Sequence, residues 1–99
     1  MVRHIIIWDL KESLSDEEKL SAKARIKEEL EALKGVVPGL TDIHVCTELL
    51  DSSKGDLMLD ALLESKEALA AYQIHPAHLK AAGFVRGAVS HRSCADFEI

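Results

Sequence analysis

The chemistry of this sequence is concentrated in one stretch, Tyr72-Gln73-Ile74-His75-Pro76-Ala77-His78, which holds the only tyrosine and two of the five histidines. An imidazole titrates near neutral pH, so it can take a proton from a carbon beside a carbonyl. A phenol can hold such a base or donate to a developing oxyanion. His75 and His78 stand three apart, the spacing at which two side chains share a helix face. Pro76 lies between them and disfavours helical geometry at His75, which spoils a metal clamp. No Asp or Glu adjoins the pair, and only His4 is a plausible third ligand. Zinc takes more ligands than two, so no metal is expected. No cofactor is expected either, because no Gly-rich phosphate loop, nucleophile elbow or nucleotide fingerprint is present. Arg86 and Arg92 could meet an anionic ligand, but pairing with surface acids is the simpler account.

Composition narrows the classes of function. The chain has 99 residues, about one domain. It is 47% hydrophobic and 29% charged, which suits a globular protein rather than a disordered one. A chain this short buries only roughly two-thirds of the surface its unfolded form exposes, so association would help it. The net charge is -5, and no cluster of Lys and Arg stands out. Nucleic acid is therefore not an expected partner, since phosphate binding needs basic surface. Cys46 and Cys94 form no CxxC motif. They read as reduced thiols of a cytoplasmic protein. The apolar run at the N-terminus is too short for a signal peptide or a membrane span, so no membrane partner is expected.

The elements that must position these residues follow from patterning. Residues 2–10 read as a strand with His4, Ile6, Trp8 and Leu10 on one face and Arg3, Ile5, Ile7 and Asp9 on the other. Ser15-x-x-Glu18 is a capping box. The helix it opens runs to about Lys34, with Ala22, Ile26, Leu30 and Leu33 as its buried stripe. Residues 40–49 and 56–63 read as the next two strands. Leu57, Leu59, Ala61 and Leu63 share one face of the latter, and Met58, Asp60 and Leu62 the other. Ser65 can cap a helix from Lys66 to about Tyr72. Pro76 can open a further helical turn carrying His78 and Leu79, which Gly83 ends. Residues 88–98 form the last strand, with Val89, Ala95 and Phe97 on its more apolar face.

The resulting order, βαββαβ, predicts an α+β, ferredoxin-like fold with an antiparallel sheet and a single domain over residues 1–99. Its helices cover one face of the sheet only. Ile5, Ile7, Met58 and Leu62 would lie in water on the other face. Exposed apolar surface of this kind predicts an interface, most simply a two-fold homodimer. A groove for some other protein is the alternative.

Tyr72-Gln73-Ile74-His75-Pro76-Ala77-His78 resembles the signature of the stress-responsive dimeric A/B barrel (Dabb) family. The opening residues 1–11, with His4, resemble that family's first strand. Val37-Pro38-Gly39-Leu40, Glu64-Ser65 and Asp96-Phe97 resemble its turn after the first helix, its entry to the second and its terminal Asp-aromatic pair. The resemblance implies a dimer whose two sheets form a barrel, and it implies little about activity. One branch, the olivetolic acid cyclase-type proteins, closes linear polyketides by aldol condensation. Its working tyrosine and histidine correspond to Tyr72 and His78, and a first-strand histidine corresponds to His4. The sequence departs from that branch at Leu57, where the cyclase carries a further histidine. Its first helix also lacks the aromatic residues that help line the cyclase pocket.

Three functions are therefore in play. The leading one is a small organic ligand bound in a pocket of each subunit, contacted by Tyr72, His78, His4 and His75. The second is a cyclase or lyase that uses Tyr72 and His78 as catalytic residues beside a carbonyl. The third is a purely structural stress protein. There Tyr72 would be a core aromatic, His75 would cap the turn before Pro76, and His78 would dock the short helix.

Overall fold

The computed structural model describes residues 1–99. In chain order the elements are β1 (Val2–Leu10), α1 (Asp16–Glu31), β2 (Leu40–Cys46), β3 (Leu57–Leu63), α2 (Lys66–Ile74), α3 (Pro76–Ala88) and β4 (Val89–Glu98). The strands pair antiparallel in the order β2-β3-β1-β4, which is the ferredoxin-like α+β fold. No helix is long and apolar enough to cross a membrane.

The inner strands follow the period of two. Val2, His4, Ile6, Trp8 and Leu10 of β1 are buried, as are Leu57, Leu59, Ala61 and Leu63 of β3. Ala22, Ile26 and Leu30 of α1 pack on that face. The opposite face holds Arg3, Ile5 and Ile7 beside Leu62, Asp60 and Met58, all half-buried. Arg3 and Asp60 form an ion pair there at 2.7 Å.

The capping box of α1 is complete. The Ser15 hydroxyl accepts from the Glu18 amide at 3.1 Å, and the Glu18 carboxylate accepts from the Ser15 amide at 2.8 Å. The helix ends at Glu31, short of Lys34, because the chain tightens into turns that still bury Leu33. Its last turn protects the edge of the sheet. The Glu31 carboxylate accepts from the Val45 amide, and Lys27 donates to the Val45 carbonyl, both at 2.9 Å. β2 stops at Cys46, whose partner Met58 lies next to the start of β3, so residues 47–49 have no strand opposite them.

Two further boundaries and one strand register differ from the patterning. α2 continues past Tyr72 to Ile74. α3 runs through Gly83 to Ala88, because Ala81, Val85 and Ala88 recur at helical spacing and are buried. That packing outweighs the cost of a glycine on the exposed side, roughly 1 kcal/mol. β4 carries a bulge opposite Asp9/Leu10. Leu10 pairs with Val89 while Asp9 pairs with His91, leaving Ser90 as the extra residue. Val89 therefore faces the helices with Leu10. Ala95 and Phe97, opposite Ile5 and Arg3, face away, so the three do not share a face.

Gly39 has φ +84, and a Cβ there would stand 2.7 Å from the Ala68 Cβ. Gly39→Ala should lower the urea midpoint, the positive φ alone costing roughly 1–2 kcal/mol. Gly83→Ala should raise it, through a gain of about 0.4–1 kcal/mol in stability, since its new Cβ meets nothing within 4 Å. Equal effects of the two changes would contradict this reading of the turn.

Candidate functional site

The site is built on the break at Pro76. Proline has no amide hydrogen to continue α2, and His75 adopts an extended conformation, φ -65 and ψ 134. The His75 imidazole then caps the next helix, its Nδ1 accepting from the Ala77 amide at 3.1 Å. An accepting Nδ1 carries no proton. His75 thus stands outside the cavity described below, as the start of α3 rather than as part of a ligand wall.

The break sets Tyr72, near the end of α2, against His78, in the first turn of α3. Their ring centroids are 4.4 Å apart at a tilt of 44°. The His78 Nδ1 lies 3.1 Å from the Gln73 carbonyl. A carbonyl only accepts, so Nδ1 holds the ring's proton and Nε2 keeps a lone pair. Burial pushes the His78 pKa below its ordinary value, against the opposing hydrogen bond to Gln73. The ring is a neutral base at neutral pH.

Tyr72 is fully buried, and its hydroxyl has no hydrogen-bond partner. Burial pushes its pKa up to about 12, so the hydroxyl keeps its proton. A buried donor with nothing to donate to costs roughly 1–3 kcal/mol. Both rings line a cavity of about 320 Å³ between α3 and the sheet, whose apolar wall includes Ile6, Trp8, Leu59 and Val85.

His4 lies behind this wall. It is 1% exposed, and its ring meets the edge of Tyr72 with centroids 6.0 Å apart. Its Nδ1 donates to the Asp96 carboxylate. The Cys94 sulfur lies 3.8 Å from the same nitrogen and 3.6 Å from the carboxylate. Burial, with the Asp96 charge beside it, pushes the Cys94 thiol up and keeps it protonated. The ligand atoms of His4, Cys94 and Asp96 lie within 4.8 Å of one another, a set that could hold a metal ion. As it stands, the set is a closed hydrogen-bonded group that orients His4. Sequence reasoning looked for ligands near His75 and missed this set. The available signal was Cys94-x-Asp96, whose spacing puts both residues on one strand face, opposite Ile6 and His4.

Arg86 and Arg92 also line the cavity. Neither forms an ion pair, contrary to the surface pairing expected of them. The bulge at Ser90 brings Arg92 onto the helix side, opposite Trp8.

The profile of the Stress responsive A/B Barrel Domain matches residues 2–99. No curated protein matches the sequence. Among solved structures, a dimeric protein of unknown function and ferredoxin-like fold from Bacteroides fragilis is 26% identical, with a TM-score of 0.91 over 99% of this chain and 95% of its own. A Dabb family protein with a ferredoxin-like fold from Mesorhizobium loti is 19% identical, TM-score 0.72, over 99% and 95%. A hydroxynitrile lyase from Passiflora edulis is 17% identical, TM-score 0.78, over 99% and 92%.

Tyr72→Phe removes the stranded hydroxyl and should raise the melting temperature. A lower value would mean that the hydroxyl is bonded in the free protein. The His78 shift has a sign of its own. Its folded pKa lies below the unfolded 6.5, so the unfolded chain binds the proton more readily. Stability contributed by His78 is therefore present at high pH, falls as pH drops through 6.5 and levels off below the folded value. His78→Gln should flatten that part of the melting profile, and an NMR titration of His78 should show a midpoint below 6.5.

Proposed function

The chain belongs to the stress-responsive A/B barrel family, and from that premise we propose that it is a homodimer in which each subunit binds a small, mainly apolar molecule through a carbonyl oxygen set at Tyr72 and His78. The Tyr72 hydroxyl carries this reading. It is a buried, protonated donor without a partner, on a residue whose ring lines an apolar cavity. A carbonyl oxygen is the acceptor it lacks. His4, held by Asp96, keeps the Tyr72 ring in place, and His75 contributes by starting the helix that presents His78. The two unpaired cysteines suit a reducing compartment such as the cytoplasm.

The dimer rests on the sheet face away from the helices. Ile5, Ile7, Met58 and Leu62 are half-buried there without a covering layer. The Bacteroides fragilis relative, over nearly the whole of both chains, is described as dimeric. A second copy of the same face, packed about a two-fold axis, would bury these side chains.

A second reading, proton transfer at the carbon beside the bound carbonyl, is favoured by the neutral His78 ring with its free Nε2. A hydroxynitrile lyase shares the fold, which makes a lyase the enzyme class to test. The olivetolic acid cyclase type fits less well. Leu57, where that type carries a further histidine, is fully buried in the core here.

Light scattering should report twice the chain mass, and Met58→Asp should give monomer or aggregate. A soluble wild-type monomer at micromolar concentration would contradict the dimer. Acetophenone, titrated by NMR, should perturb Tyr72, His78 and Val85, and Tyr72→Phe should weaken its binding by about tenfold, the worth of one hydrogen bond. Unchanged affinity in that variant would remove the reading. In heavy water, wild type should exchange the acetophenone methyl protons and His78→Gln should not. If wild type does not exchange them, the site binds without catalysing.

A further inference from the structure

The chain has four arginines. Arg3 is paired with Asp60 and Arg25 with Glu29, at 2.7 and 2.8 Å. The two that are not paired, Arg86 and Arg92, both line the cavity of Tyr72 and His78. This is unexpected in a chain with 17 acidic residues against 12 basic ones, where carboxylates are the commoner partner.

Two separate features of the backbone converge these charges. α3 continues past Gly83, which carries Arg86 on its last turns beside the cavity wall of Ala82 and Val85. The bulge at Ser90 lets Val89 and Arg92, three residues apart, face the same side of the sheet. In a regular strand, residues three apart point to opposite faces. Burial raises the Tyr72 pKa and lowers that of His78; the positive charge of Arg92 opposes the first shift, and the charges of Arg92 and Arg86 add to the second. Bulges occur beside active sites because they re-aim a side chain in this way.

We infer that the ligand is an anion, a keto-carboxylate whose carboxylate is held between Arg86 and Arg92 while its apolar body fills the cavity and its carbonyl oxygen accepts from Tyr72. Guanidinium groups present a planar fork that matches a carboxylate, and such charge-assisted bonds are about twice as strong as neutral ones. The acidic remainder of the surface would repel the anion until it reaches this spot, so the arginine pair acts locally. The inference rests on the cavity being a ligand site, as proposed above, and adds the chemical class of the ligand.

The test uses 4-oxo-4-phenylbutanoate and its methyl ester, which share a ketone and a phenyl ring but differ in charge. Calorimetry on the wild-type protein should show the acid binding at least about tenfold more tightly than the ester, with the advantage falling as salt is raised. Arg86→Gln and Arg92→Gln should each bring the ratio of acid to ester affinity down towards one. Both side chains are exposed, so the fold should survive the change. If acid and ester bind equally, the cavity stands as a ligand site and the anion inference is overturned. If neither binds, both readings fail together. If the acid binds more tightly but both arginine variants retain the advantage, the anion is held elsewhere and the inference is overturned.

Discussion

β1 and β3 run through the middle of the sheet, each hydrogen-bonded on both sides, and their side chains alternate strictly between two faces. One face is roofed by three helices, and the other has none. That asymmetry decides which side chains of the inner strands are buried and which are left uncovered. It drives the large side chains of β1 and β3 under the helices and takes His4 with them. It also leaves a half-buried apolar layer on the far side. A buried imidazole needs a partner, and the register of β1 against β4 supplies Asp96 directly opposite. The pairing of His4 is thus a consequence of the sheet before it is a feature of any site.

Two local departures from regular structure then make the cavity. Pro76 ends α2 and lets α3 start at a new angle, so that Tyr72 and His78 meet across the break. The bulge at Ser90 turns Arg92 towards the helices. Neither is needed to close the sheet. Each brings a polar side chain to an otherwise apolar wall, and behind that wall the Tyr72 hydroxyl is buried without a partner. A fold that buries its core well can carry one such cost, and stranded polar groups of this kind are what a ligand with the right acceptor would relieve.

Much of this arrangement was legible in the sequence. The alternation of β1 and β3 is written in residues 2–10 and 57–63, and Ser15-x-x-Glu18 marks the helix start without ambiguity. The Tyr72 and His78 pair could be named because the stretch around Pro76 resembles the family signature, and Pro76 marks the break between the two helices that carry them. What could not be read depends on pairing over long distances. Gly83 looks like a terminator until Ala81, Val85 and Ala88 are seen packed on the core. The faces of β4 cannot be assigned until the bulge against Asp9/Leu10 is known, because it puts Val89 and Arg92 on the same side, opposite Leu10 and Trp8. Cys94 and Asp96 are some 90 residues from His4, and only the β1–β4 register brings them together.

The central claim is that the buried Tyr72 hydroxyl donates to a carbonyl oxygen in this cavity. The most direct measurement is the ¹³C resonance of a ketone-labelled aryl ketone bound to the protein, recorded for wild type and for Tyr72→Phe. A hydrogen bond from Tyr72 polarises the carbonyl, so the bound resonance should move downfield of its position in an apolar solvent and return towards that position in the variant. A resonance that does not move on binding to wild type, or that stays displaced in Tyr72→Phe, would contradict the account.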